Sequence, residues 1–121
     1  MILAAVDDLL FRSKIRTVAK QVGADVQFVK TGAEVREALA AAPSLAVLDL
    51  HAAAIDPVGS VAALRAHGVP VIGFYAHVHT DVAQAAIAAG ATQVMPRSAF
   101  VTRLPEILSG ELVPGKDGTA G

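Results

Sequence analysis

The chain contains no cysteine. That excludes a disulfide scaffold, a zinc finger, a thiol redox centre and a cysteine nucleophile. Charge is scarce as well: 17% of residues are charged, where ordinary domains carry ~25%, and so apolar a chain does not stay disordered. Neither sign dominates, because 10 basic residues face 11 acidic ones for a net charge of −1. A whole-surface nucleic-acid footprint is therefore excluded. Aromatic residues make up 4% of the chain, too few to interleave with its bases as stacking platforms. No apolar run approaches the ~18 residues of a membrane span. Met1–Val6 is apolar, but it lacks a basic leader and runs straight into Asp7-Asp8. It does not read as a signal peptide, and the default location is cytoplasmic. The 121 residues are enough for one domain that buries a core without staples.

What is present is a regular alternation of short apolar runs and longer helical patterns. Ile2–Val6 is continuously apolar, as in a strand buried on both faces. Ile15, Val18, Ala19 and Val22 follow helical spacing, and Gly23 supplies the stop. Val26–Val29 is a second strand, with Gln27 and Lys30 marking it as an edge. Thr31 and Glu34 have the spacing of a capping box, ahead of the stripe Val35, Ala38, Leu39 and Ala42 and a stop at Pro43. Leu45–Leu48 is the third strand and ends at Asp49. Pro57 opens a third helix that runs to about His67 and closes at Gly68. Pro70–Tyr75 is the fourth strand. Thr80 is the expected cap of a helix carrying Val82, Ala85, Ala86 and Ala89. Gln93–Met95 is the fifth strand, followed by a helix capped by Ser98 and carrying Val101, Leu104 and Leu108, with a kink or restart expected at Pro105. Residues 1–109 form the domain, and the Gly- and Pro-rich residues 110–121 read as a loose tail too short for an output domain.

Strict β-α alternation specifies an α/β fold, a doubly wound five-stranded parallel sheet with helices on both faces. The flavodoxin-like order 2-1-3-4-5 fits the length best, and its ligand site lies at the carboxyl ends of the strands. There the first strand ends in Asp7-Asp8, the third in Asp49, the fourth in Tyr75-Ala76-His77 and the fifth in Pro96-Arg97-Ser98. Strands one and three are neighbours in this order, so three acids are expected to converge. Like charges so placed need compensation. A hard cation such as Mg²⁺ supplies it, with Asp8 and Asp49 as direct ligands, the backbone carbonyl of His51 as a third oxygen and Asp7 holding a bound water. The bland alternative is that the acids cap helix N-termini.

Val6-Asp7-Asp8, the Asp49 that follows Leu45-Ala-Val-Leu48, the Pro70-Val-Ile run, Ala89-Gly90-Ala91 and a basic residue after the fifth strand resemble the receiver domain of two-component response regulators, over residues 1 to about 109. The resemblance implies phosphorylation of Asp49, Mg²⁺ held by Asp8 and Asp49 with help from Asp7, and a histidine kinase or phosphotransfer protein as donor. It implies signalling by contact with a downstream protein, with a homodimer as an option, rather than enzymatic turnover. Arg97 would contact the phosphoryl oxygens or pair with Asp49 in their absence. The departures are specific. Where the family has Ser or Thr after strand four, this chain has Tyr75 and then Ala76, so these are the switch positions to inspect. The family's Lys-Pro is replaced by Arg97-Ser98, and arginine is not equivalent to lysine. The switch aromatic falls at Val94. The pattern is similar to a stand-alone subset with Phe74–His77 and Pro96–Phe100 endings.

Other readings carry less. A phosphorylation-independent pseudo-receiver, acting as an interaction module, is the main alternative. His51, His77 and His79 could bind a transition metal but read better as exposed loop histidines. Asp49-Leu-His51 lacks the glycine of a cobalamin motif, and the acidic first loop would repel a flavin phosphate. A small metal-dependent hydrolase has no substrate pocket beyond the crevice. Arg12, Arg16 and Lys20 at i, i+4 and i+8 read as a solvated helix face.

Overall fold

The computed structural model describes residues 1–76 and 80–110. Strands and helices alternate as β1 (Ile2–Ala5), α1 (Leu9–Val22), β2 (Val26–Val29), α2 (Gly32–Ala38), β3 (Leu45–Asp49), α3 (Pro57–Ala66), β4 (Val71–Tyr75), α4 (Thr80–Ala89), β5 (Gln93–Pro96) and α5 (Arg97–Ser109), with short 3-10 turns at Leu39–Ala41 and Ala53–Ile55. The sheet is parallel throughout, in the order β2-β1-β3-β4-β5. This is the flavodoxin-like architecture expected from the alternation, and β2 is an edge as its polar residues indicated.

Period-two alternation sends successive strand residues to opposite faces. Ile2, Ala4, Leu45, Val47, Ile72 and Phe74 pack with α1 and α5, while Leu3, Ala5, Ala46, Leu48 and Val71 pack with α2, α3 and α4. Each side of the sheet thus has its own dry layer, which is why the central strands read as unbroken apolar runs. Phe11, Phe74 and Phe100 form a compact aromatic cluster on the α1–α5 side, with ring centroids 4.5 to 5.8 Å apart. Ser60, fully buried, satisfies its hydroxyl by donating to the Ile55 carbonyl.

The caps follow local chemistry. Asp8 accepts from the Phe11 amide, Thr31 and Glu34 complete the expected capping box, and Asp56 caps α3 ahead of Pro57. Gly23 ends α1 at φ 73°, a conformation that costs glycine little. Three local expectations are corrected. The α2 stripe does not continue as α-helix to Ala42: it tightens into a 3-10 turn after Ala38, because Pro43 drives Ala42 out of the helical region, to φ 51°. Ser98 is not the cap of α5. Strand β5 runs into the helix without a loop, so Pro96 takes the cap position with no side-chain cap bond. Pro105 does not restart α5, which is continuous across it, with Phe100, Leu104, Ile107 and Leu108 buried before and after it. The capping role of the Thr80 side chain, and the tail beyond residue 110, lie outside the described residues.

Candidate functional site

The register sets the site. Ala5 pairs with Leu48 across β1 and β3, and Asp49 pairs with Phe74 across β3 and β4. The carboxyl ends of the three central strands therefore lie side by side, and Asp49 is placed at the sheet's centre rather than its rim. Its side chain falls on the α1–α5 face by alternation from Val47. Asp49 is 8% exposed, the one buried charged residue among those described. One carboxylate oxygen accepts from the His51 amide at 2.9 Å. Among the described residues, no Lys, Arg or His lies within ion-pair distance of it.

Asp8 divides its two oxygens between different tasks. Oδ1 accepts from the Phe11 amide at 3.0 Å and caps α1, while Oδ2 lies 3.9 Å from an Arg97 guanidinium nitrogen. The helix-capping alternative thus holds for one oxygen and leaves the other free to face a cation. Asp7 is exposed. Among the described residues no three His, Asp or Glu side chains are grouped closely enough to hold a metal. Asp7 and Asp8 are both exposed and Asp49 is buried.

The donor set still fits a hard cation. Mg²⁺ keeps several waters and asks for only one or two carboxylates, not a full protein cage. Asp49 is buried at the end of β3, and Asp8 follows the neighbouring strand β1 with an oxygen that already draws a guanidinium, so two carboxylates stand at adjacent strand ends. The His51 carbonyl sits two residues beyond Asp49, where the chain turns back through a bond from the Ala52 amide to the Asp49 carbonyl at 3.2 Å. The His51 ring engages the backbone at the end of the next strand. Its Nε2 accepts from the Ala76 amide at 3.0 Å, tying the loop after β3 to the end of β4. His77 and His79 lie outside the described residues.

Arg97 is not where the sequence placed it. Instead of pairing with Asp49 it lies with its guanidinium carbon 4.8 Å from the centre of the Phe11 ring and 6.0 Å from that of Phe74, and with a guanidinium nitrogen 3.9 Å from Asp8 Oδ2. The reason is the aromatic cluster at the start of α1 and the end of β4, which offers the planar cation a face to stack on. Tyr75 packs against the α2–α3–α4 layer, on the opposite side of the sheet from Phe74. Ala76 contributes its backbone amide to His51. Sequence reasoning missed the Phe11 seat; the signal was available in aromatics at positions 11, 74 and 100, each near a carboxyl-end boundary. The solvated helix face is found at Arg16 and Lys20, which are exposed, while Arg12 is half-buried; the guanidiniums of Arg12 and Arg16 both lie over the Phe28 ring, at 5.0 and 4.9 Å.

No family model and no curated protein matches the sequence. Solved structures do. A response regulator from Hahella chejuensis superposes with a TM-score of 0.80 at 25% identity, covering 92% of this chain and 93% of that one. The chain has the receiver-domain fold of response regulators. The likeness extends to the receiver domain of the NarL response regulator from Mycobacterium tuberculosis, with a TM-score of 0.73, 22% identity and coverage of 88% and 90%. A phosphorylated cyanobacterial phytochrome response regulator, RcpA, gives 0.73 at 21% identity with coverage of 91% and 89%. No described helix is long and apolar enough to cross a membrane.

Proposed function

We propose that this receiver domain accepts a phosphoryl group on Asp49 and signals by protein contact in the cytoplasm. The observation that carries the reading is the buried Asp49 carboxylate at the end of the central strand, unpaired with any base among the described residues. Burying an uncompensated carboxylate costs stability, and a site kept that way suits a nucleophile that a cation and a phosphoryl group complete. The residues that would hold Mg²⁺ are Asp8 and Asp49, with the His51 carbonyl and a water on Asp7. Bound there, the ion supplies positive charge against the equatorial phosphoryl oxygens. The donor class is a phosphohistidine on a kinase or phosphotransfer protein. A carboxylate oxygen of Asp49 forms the new bond to phosphorus while the P–N bond breaks, and the leaving imidazole nitrogen takes a proton from solvent. The product is an acyl phosphate. Arg97, which lies beside Asp8, is the cation assigned to those oxygens. Leu9 and Leu10, 73% and 85% exposed beside Asp8, give a docking protein apolar area at the mouth of the site.

A second reading has its own support. Tyr75 stands where the resemblance calls for a small hydroxyl residue, and its ring is packed into the opposite layer. That favours a module that binds partners without phosphorylation. One experiment decides. The protein is incubated with Mg²⁺ and a small phosphodonor and its intact mass is measured beside Asp49→Ala. The expected result is one phosphoryl group on wild type and none on the variant. Wild type that stays unlabelled under conditions that label an ordinary receiver would overturn the first reading and leave the second.

A further inference from the structure

We infer that Arg97 is a built-in competitor for the divalent cation, and that Phe11 is the positioning residue that sets its strength. The inference rests on the proposed cation site and concerns its regulation. Its basis is geometric. The guanidinium is held on two sides at once, by the Phe11 ring at 4.8 Å and by Asp8 Oδ2 at 3.9 Å. The other Asp8 oxygen is committed to the Phe11 amide, so Oδ2 is the one available to a metal. Arg97 and a divalent cation therefore draw on the same atom. A surface ion pair of this kind, with both side chains more than two-fifths exposed, is weak alone. The ring makes it selective: it orients a planar cation over an apolar face and gives a compact hydrated cation nothing.

Phe11 is also well placed to do this without touching the metal. It is 8% exposed and braced by Phe74 at 4.9 Å and Phe100 at 5.8 Å, so its face toward Arg97 is fixed by the core. Cation binding at Asp8 would release Arg97 from the ring, freeing its guanidinium to turn toward the acceptor carboxylate. Loading the site and supplying the phosphoryl-binding arginine become one linked event.

The test is a Mg²⁺ titration of wild type, Phe11→Leu, Phe11→Tyr and Asp8→Asn, read by calorimetry. Phe11→Leu keeps every charge and removes the ring, so Mg²⁺ binding is expected to tighten about two- to fivefold. Phe11→Tyr restores the face and is expected to return to the wild-type value. Asp8→Asn is expected to lose binding. In parallel, the Arg97 Nε–H NMR resonance of wild type, shifted by the ring current, is expected to move toward its unstacked position as Mg²⁺ saturates; this readout needs no variant to fold. A wild-type site that binds Mg²⁺ with unchanged affinity in Phe11→Leu, or saturates without moving that resonance, overturns the inference alone. Flat titrations in wild type overturn the cation site and the inference together.

Discussion

Gly73 and Leu50 make a prediction in which sterics near the site can be worked through. Gly73 sits in the middle of β4, and a Cβ there would lie 3.0, 3.1 and 3.2 Å from three carbons of the Leu50 side chain. Leu50 is 4% exposed and immediately follows Asp49. Its backbone cannot back away, because its amide donates to the Phe74 carbonyl at 3.0 Å. Gly73→Val therefore has to displace the Leu50 side chain. Overpacking of this kind costs about 1–3 kcal/mol. Replacing a strand-interior glycine returns roughly 0.5–1 kcal/mol, leaving a net loss of up to about 2.5 kcal/mol. For a domain of 121 residues, that lowers Tm by up to roughly 10 °C. Leu50→Ala alone is expected to cost about 2–5 kcal/mol through the cavity it leaves. In the double variant the new valine fills that cavity, so the two losses combine to less than their sum by about 1–3 kcal/mol. The assay is urea unfolding of all four proteins with the coupling taken from the cycle. Strictly additive losses would show that Leu50 does not occupy the space that glycine leaves open.

Two further outcomes are expected. Glu34 has its pKa lowered, chiefly by the Lys30 amide, opposed next by desolvation and helped further by the hydroxyl and amide of Thr31. A carboxyl with a depressed folded value stabilises fully above its unfolded value and loses that contribution as pH falls through the folded one. The stability difference between wild type and Glu34→Gln is thus expected to hold steady near neutrality and shrink below the ordinary value of 4.5; a difference that grows in acid would refute the assignment. Substituting His51→Phe removes the acceptor for the Ala76 amide while keeping a flat ring. The global loss is expected to be small, roughly 0.5–1.5 kcal/mol, but exchange of the Ala76 amide with deuterium is expected to accelerate well beyond that of its strand neighbours. Equal protection in both proteins would mean the bond does not hold the end of β4.

The fold was legible in the sequence because each element carries its own signal. Continuous apolar runs such as Leu45–Leu48 could only be strands covered on both sides, and strict alternation with helices left one common topology. The placement of Asp49 and Asp8 at adjacent strand ends followed from that topology alone. Local caps were read correctly where the chemistry is local, as at Thr31–Glu34, and misread at Ser98, where the absence of a loop between β5 and α5 could not be seen from composition.

Side-chain destinations belong to another level. Sequence determined that a carboxylate would sit at the end of the central strand and that a basic residue would follow the fifth. Only the tertiary structure decided that Arg97 turns to Asp8 and the Phe11 ring, that Asp7 faces solvent and that Tyr75 joins the far layer. The physical reason is that these choices depend on which surfaces meet across the sheet. An arginine takes whichever aromatic face and carboxylate oxygen the packing leaves within reach, and that geometry is fixed by α1, β4 and α5 together rather than by any segment read alone.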